Sequence, residues 1–248
     1  MQNTKLRNHE LITTQDGSLS AYSKTYGENF HNTTGAVSET QIHYVQGCQV
    51  LDRARKQESF SILEVGLGLG VGFEQTYEAL KKLKTKIYFT SLEIDEELIL
   101  HLKENNPLFK ALTKSQAGYR ADIDQFHLEV LLGDARETLP NSHRRFHAIY
   151  QDPFSPKRNA TLWTKEWFEL LGSLSEDDCI MSTYSSSSAI RKAMLAAGWK
   201  IQKGARFGPK RSSTRAFKTG ESDQEILEHL KRSPAITLTD QNAKDYRL

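Results

Sequence analysis

The chain lacks the features that would place it outside the cell or across a membrane. Its two cysteines, Cys48 and Cys179, are isolated from each other, so neither a disulfide framework nor a zinc pattern is present. No apolar run approaches the roughly 20 residues a membrane-spanning helix needs. The opening Met-Gln-Asn-Thr-Lys-Leu-Arg has no signal-peptide core. Histidines 31, 43, 127, 143 and 147 are scattered without metal-ligand spacing, and no metal site is expected. Net charge is also small: 33 Lys and Arg against 31 Asp and Glu leave +2, so the sum does not announce nucleic acid. A soluble, cytoplasmic, non-membrane protein is the expectation. At 248 residues the chain can fill one large α/β domain or two small ones.

What is present is concentrated in the stretch from Ser61 to Gly70. Ile62, Leu63 and Val65 read as a buried strand, and Val71 to Leu83 as a helix. Between them Gly66, Gly68 and Gly70 remove the Cβ atoms that would keep a ligand from the backbone. The carboxyl end of a strand is where open α/β sheets bind nucleotides. Yet the spacing is not that of the dinucleotide fingerprint, and Glu64 stands two residues before the first glycine. A carboxylate there repels a pyrophosphate and suits an ammonium.

Two more apolar strands end in acids. Lys86 to Asp95 brings Glu93 to a strand end at the spacing of a ribose-binding acid, where a carboxylate accepts from both ribose hydroxyls. Phe126 to Asp134 ends in Gly-Asp, followed by Ala135. The Glu-x-Gly-x-Gly-x-Gly pattern resembles that of class I S-adenosylmethionine-dependent methyltransferases. That resemblance implies that the loop wraps the methionine and ribose parts of S-adenosyl-L-methionine and that Asp134 accepts from the adenine amino group. The fold implied is α/β and Rossmann-like, a mostly parallel doubly wound sheet with an antiparallel closing strand.

Along the chain, residues 1–57 read as a lead-in, with an extended stretch from Leu19 to Phe30 and a helical pattern from Ala36 to Val45. Residues 58–220 alternate strand and helix, as a parallel sheet requires. They include strands at 146–152 and 178–184, helices at 164–171 and 187–197, and closing strands at 199–205 and 214–218. Residues 221–248 are strongly polar and read as a polar tail, a loosely attached helix or disorder.

The fourth strand ends in Tyr150-Gln-Asp-Pro-Phe-Ser-Pro-Lys-Arg-Asn159. Asp152-Pro-Phe resembles the D-P-P-Y pattern of methyltransferases acting on amino groups of bases, with the aromatic one position early. An amine nucleophile needs its N–H groups held by acceptors so that its lone pair points in line. Asp152 and a backbone carbonyl supply them on a proline-stiffened turn, and Phe154 offers a ring for a base. Asp152 to Trp163 and Phe207-Gly-Pro-Lys-Arg211 are similar to two signatures of the MnmC-like tRNA methyltransferases, departing at Pro153 and Pro209. The resemblance spans residues 19–218. It implies methylation of the exocyclic amine of 5-aminomethyl-2-thiouridine at the tRNA wobble position by a stand-alone domain. It also implies Tyr26, Glu64, Gly66, Gly68, Gly70, Glu93, Asp134, Ala135 and Asp152 on the cofactor, and Asp152 with Phe154 at the reacting amine.

Lys157 and Arg158 follow that loop, and Lys200, Lys203, Arg206, Lys210, Arg211 and Arg215 gather later, a set able to hold RNA phosphates. Trp163 and Trp167 read as core residues rather than stacking platforms. Three alternatives stay open: an aminopropyltransferase, a small-molecule methyltransferase of the same fold, and a non-catalytic RNA-binding module. Oligomeric state is not readable.

Overall fold

A computed structural model describes residues 6–208 and 212–246. The lead-in begins with three antiparallel strands, β1 (His9–Thr13), β2 (Leu19–Ser23) and β3 (Glu28–Asn29). The turn between β1 and β2 caps the first helix, α1 (Ala36–Thr40). Ser18 Oγ accepts from the amides of Ala36 and Val37, and Asp16 accepts from that of Ser38. These are orphan donors at the start of a helix that has no capping side chain of its own. A π-helix, Gln41–Val45, continues α1, and α2 (Val50–Ala54) follows.

The rest alternates β4 (Ser59–Val65), α3 (Val71–Leu80), β5 (Lys86–Glu93), α4 (Glu96–Asn105), β6 (Thr113–Ser115), β7 (Gly118–Ile123), β8 (Phe126–Leu132), α5 (Ala135–Thr138), β9 (Phe146–Gln151), α6 (Lys165–Ser173), β10 (Ser175–Thr183), α7 (Ser188–Ala196), β11 (Lys200–Lys203), β12 (Thr214–Phe217) and α8 (Gln224–Arg232). One nine-stranded sheet runs in the order β11-β12-β10-β9-β4-β5-β8-β7-β6. Its five central strands are parallel, and both ends are antiparallel. The closing pair falls where the sequence places it. The β6–β7 hairpin at the other edge goes unforeseen, because Thr113 to Gly118 has no apolar run.

Alternation along the strands fills a layer on each face. Phe60 and Ile62 of β4 join Phe73, Phe89 and Ile99 on one side. Leu63 and Val65 join Trp163, Trp167, Leu171 and Met194 on the other. The tail holds a helix, as one of its two readings has it, but attaches it firmly. Ile226, Leu230 and Leu238 are buried in the second layer, α8 is capped by Asp223, and Asp240 pairs with Arg136. Those few apolar anchors are hidden in an otherwise polar stretch. Burying each is worth roughly 1.5–3 kcal/mol, enough to hold the segment down.

β4 lies at the centre, pairing β5 on one side and β9 on the other. The chain fills one half-sheet through β5 and β8, then returns to β9. The crevice beyond the ends of β4 and β9 is therefore the topological switch point, where doubly wound sheets hold ligands.

Candidate active site

A cleft of about 380 Å³ opens at that switch point, within the size range of small-molecule sites. Glu64, Gly66, Gly68, Glu93, Ala135, Asp152, Phe154 and Tyr26 all line it. Parallel register sets Glu64 beside Ser91 and Tyr150 on adjacent strands. Its carboxylate is buried, accepts from Ser91 Oγ at 2.7 Å, and occupies the space a side chain at Gly72 would fill. Burial pushes its pKa well above the usual glutamate range; the Ser91 hydrogen bond opposes that, while Asp152 and Glu93 add to it.

Glu93 spans the glycine loop. One oxygen accepts from the Gly68 amide at 3.0 Å, the other from the amides of Ile94 and Asp95 at 2.8 and 2.9 Å. Even so, burial raises its pKa to about 7. The loop needs glycine for two reasons: φ is +98° at Gly66 and +53° at Gly68, and a Cβ at Gly68 would stand 3.0 Å from the Phe30 ring. Gly70, expected on the ligand, lies away from the cleft; its α-carbon faces Phe109 and Leu102, so its small size serves helix packing.

Asp134 is also placed differently. It is exposed, does not line the cleft, and caps α5 by accepting from the Arg136 amide at 2.8 Å. Its charge still reaches Tyr26, whose pKa is raised first by burial and then by Glu93, Asp134 and Asp95.

Asp152 faces the cleft across from Glu64, and its Oδ1 accepts from the Tyr44 hydroxyl at 2.5 Å. The turn it begins is tied down from three elements. Tyr184 donates to the Pro153 carbonyl at 2.9 Å, Trp163 Nε1 to the Phe154 carbonyl at 2.8 Å, and the Ser155 amide to Glu28 at 3.0 Å. The buried tryptophans are thus core residues that also fix this turn; Trp167 Nε1 donates to Gln151, the residue before Asp152. Phe154 does not stand open for a base on both faces. It stacks on Tyr26 at 4.2 Å and meets Phe30 edge-on at 5.3 Å, forming one aromatic wall of the cleft. Sequence reasoning missed Tyr44, Tyr184, Glu28 and His9, which come from segments with no motif. His9 reaches the cleft from β1, its Nε2 at 2.8 Å from Asp95.

Six carboxylates line the cleft, from Glu28, Glu39, Glu64, Glu93, Asp95 and Asp152. No lysine or arginine does so among the described residues. Such a donor set suits a cation, and it fits the ammonium and sulfonium of S-adenosyl-L-methionine while disfavouring a pyrophosphate. Basic residues stand outside. Lys157 and Arg158 are exposed beside the turn, with the Arg158 guanidinium against Gly27. Lys210 and Arg211 lie outside the described residues. Arg215 is turned toward the core, its guanidinium 5.0 Å from the Phe217 ring centre, so it does not join a surface patch. Among the described residues no cluster of His, Cys, Asp and Glu is placed to hold a metal, and no helix is long and apolar enough to cross a membrane.

Comparison with known proteins places this geometry. A family described as S-adenosyl-L-methionine-dependent methyltransferase matches residues 101–219. The tRNA 5-methylaminomethyl-2-thiouridine biosynthesis bifunctional protein MnmC of Azoarcus sp. (strain BH72) is 29% identical over 222 residues, covering 83% of this chain. The protein of the same name from Burkholderia mallei (strain SAVP1) is 29% identical over 225 residues, or 82% of this chain. The chain spans only about a third of those relatives, 35% and 34% of their lengths. The crystal structure of MnmC2 from Aquifex aeolicus superposes with a TM-score of 0.79 at 27% identity, covering 99% of this chain and 86% of that one.

Proposed function

We propose that this chain is an S-adenosyl-L-methionine-dependent methyltransferase that methylates the aminomethyl nitrogen of a tRNA wobble uridine in the cytoplasm. The observation that carries the amine half of this reading is the acidic cleft at the switch point, with Asp152 held on a rigid turn at its edge. The relatives named for tRNA 5-methylaminomethyl-2-thiouridine biosynthesis support the tRNA half.

S-adenosyl-L-methionine, when bound, supplies a methyl group activated by a positive sulfur. Glu64 would face its ammonium, Glu93 its ribose hydroxyls, and the backbone of Gly66 and Gly68 its body, with Ala135 and Tyr26 at the adenosine end. The chain's own residues must then deliver a neutral amine. An alkylamine is mostly protonated at neutral pH, and an ammonium has no lone pair. Asp152 attracts the ammonium and fixes its N–H direction, which alone raises the amine's pKa; desolvation in the closed cleft lowers it again. Lys157 and Arg158 stand where they can meet phosphates flanking the uridine.

A small-amine acceptor is the second reading, since an acidic cleft also suits a polyamine. Against it, the two residues before Asp152 offer no further acids. Tyr150 bonds Thr76 and Gln151 bonds Trp167, both inside the core. The deciding experiment is transfer of labelled methyl to bulk tRNA lacking its wobble modification, with nucleoside analysis, beside putrescine and spermidine. Label in a methylaminomethyl uridine is expected. Label in the polyamine alone would replace this reading with the second.

A further inference from the structure

The short π-helix that continues α1 carries His43 and Tyr44. Such wide turns are rare, appear mostly as single turns within α-helices, and are frequent at functional sites. This one is held in place. The His43 carbonyl accepts from Ser182 Oγ on β10, and a Cβ at Gly47 would overlap that same carbonyl. The Tyr44 ring is buried, tilted against Tyr150 at 5.4 Å and edge-on to His43 at 6.3 Å. Its hydroxyl reaches across 108 residues to Asp152 Oδ1.

We propose that Tyr44 is a positioning residue for methyl transfer: its hydroxyl keeps Asp152 an oriented carboxylate, and the acceptor's proton goes to water rather than to Asp152. This rests on the amine-methylating reading above. The balance is simple: the bound ammonium and a water give the neutral amine and hydronium, while Tyr44 and Asp152 keep their own protonation states.

The electrostatics favour such a donor. Glu39 and His43 face the pair from the lead-in helix, Glu64 from β4, Tyr150 from β9, Tyr184 from beyond β10, and Glu28 from β3. The acids among them favour a protonated Asp152, whereas a hydrogen bond donated to the carboxylate favours its ionised form. Tyr44 does not surrender its own proton. Burial, then the Asp152 charge, holds its pKa well above the usual tyrosine value. A carboxylate engaged in a charge-assisted hydrogen bond is a poorer base and a better-fixed acceptor.

The test is single-turnover methyl transfer to unmodified tRNA at saturating cofactor, from pH 6 to 9. The enzymes are the wild type, Tyr44→Phe, Asp152→Asn and the double variant, with cofactor affinity measured by calorimetry. Tyr44→Phe should lose severalfold in rate at pH 6 and progressively less as pH rises, because an Asp152 without the donated hydrogen bond protonates more readily. Asp152→Asn should be slowed by a similar factor at every pH. Adding Tyr44→Phe to it should cost less than about twofold, because Tyr44 acts through the carboxylate. Cofactor affinity should stay within about threefold in Tyr44→Phe. Additive losses, a pH-independent loss in Tyr44→Phe, or a larger loss of cofactor affinity would overturn the proposal. So would an Asp152→Asn rate that recovers at high pH, which would make Asp152 the proton acceptor. Wild-type rates in Asp152→Asn would instead remove the amine-aligning role itself.

Discussion

The two walls of the cleft are built by opposite means. On the cofactor side, Glu64 and Glu93 are bonded to groups 27 and 25 residues away, on the next strand and the adjoining loop. Their partners are a serine hydroxyl and backbone amides, and burial leaves both acids biased toward protonation. On the acceptor side, Tyr44 meets Asp152 across 108 residues and Glu28 meets Ser155 across 127. There the turn is fixed by a tyrosine hydroxyl, an indole and the Glu28 carboxylate, each with its hydrogen bond already made. One wall is local and electrostatically poised for a cation; the other is long-range and rigid. Cation affinity belongs to the first and alignment to the second.

Breaking the second wall should have the largest effect. Asp152→Ala is expected to lower the single-turnover rate about a hundredfold or more, since misplacing a reacting group by an ångström costs that much. Breaking the first should act on binding. Glu64→Gln should weaken S-adenosyl-L-methionine tenfold to a hundredfold, the roughly 1.5–3 kcal/mol of a buried charge-assisted contact, measured by calorimetry.

A pH series sharpens the comparison. Glu93 titrates near 7 in the folded chain against 4.5 in an ordinary glutamate. The folded state therefore binds more protons than the unfolded one between those values. Stability without ligand should fall as pH rises through that window, by no more than about 1.4 kcal/mol per unit. Cofactor affinity should rise over the same window, because ribose hydroxyls donating to Glu93 select the ionised acid. Glu93→Gln should flatten both curves in melting and calorimetric series. The smallest effect is expected at Asp134. Its carboxylate caps α5 from the surface, so Asp134→Ala should cost about 1 kcal/mol of stability in denaturant unfolding and change cofactor affinity less than Glu64→Gln does.

The same contrast explains what could be read from the chain. The cofactor wall was legible because strand, acid and glycine loop follow one another, and chemistry ties each to its neighbour. Glu64, Gly66, Gly68 and Glu93 sit together in the cleft as that pattern implies. Gly70 and Asp134 belong to the same motif, yet one packs a helix and the other caps one, roles that sequence does not distinguish from ligand contact. The acceptor wall was legible only at Asp152 and its turn. Tyr44 lies in a helical pattern whose π-turn leaves no compositional trace, and Glu28 and Tyr184 gain meaning only once β3 and β10 are folded. Arg215 fails for the converse reason, since a basic residue on β12, paired on both sides by β11 and β10, can lay its guanidinium on an aromatic ring instead of on a phosphate.

The division of labour between the walls is tested most directly by measuring S-adenosyl-L-methionine affinity in Glu93→Ala and Asp152→Ala side by side, by calorimetry at pH 8. A loss of about tenfold or more is expected in Glu93→Ala, from a buried hydrogen-bonded carboxylate. In Asp152→Ala, by contrast, affinity should stay within about threefold of wild type. Equal losses in the two variants, or a greater loss in Asp152→Ala, would contradict that division of labour.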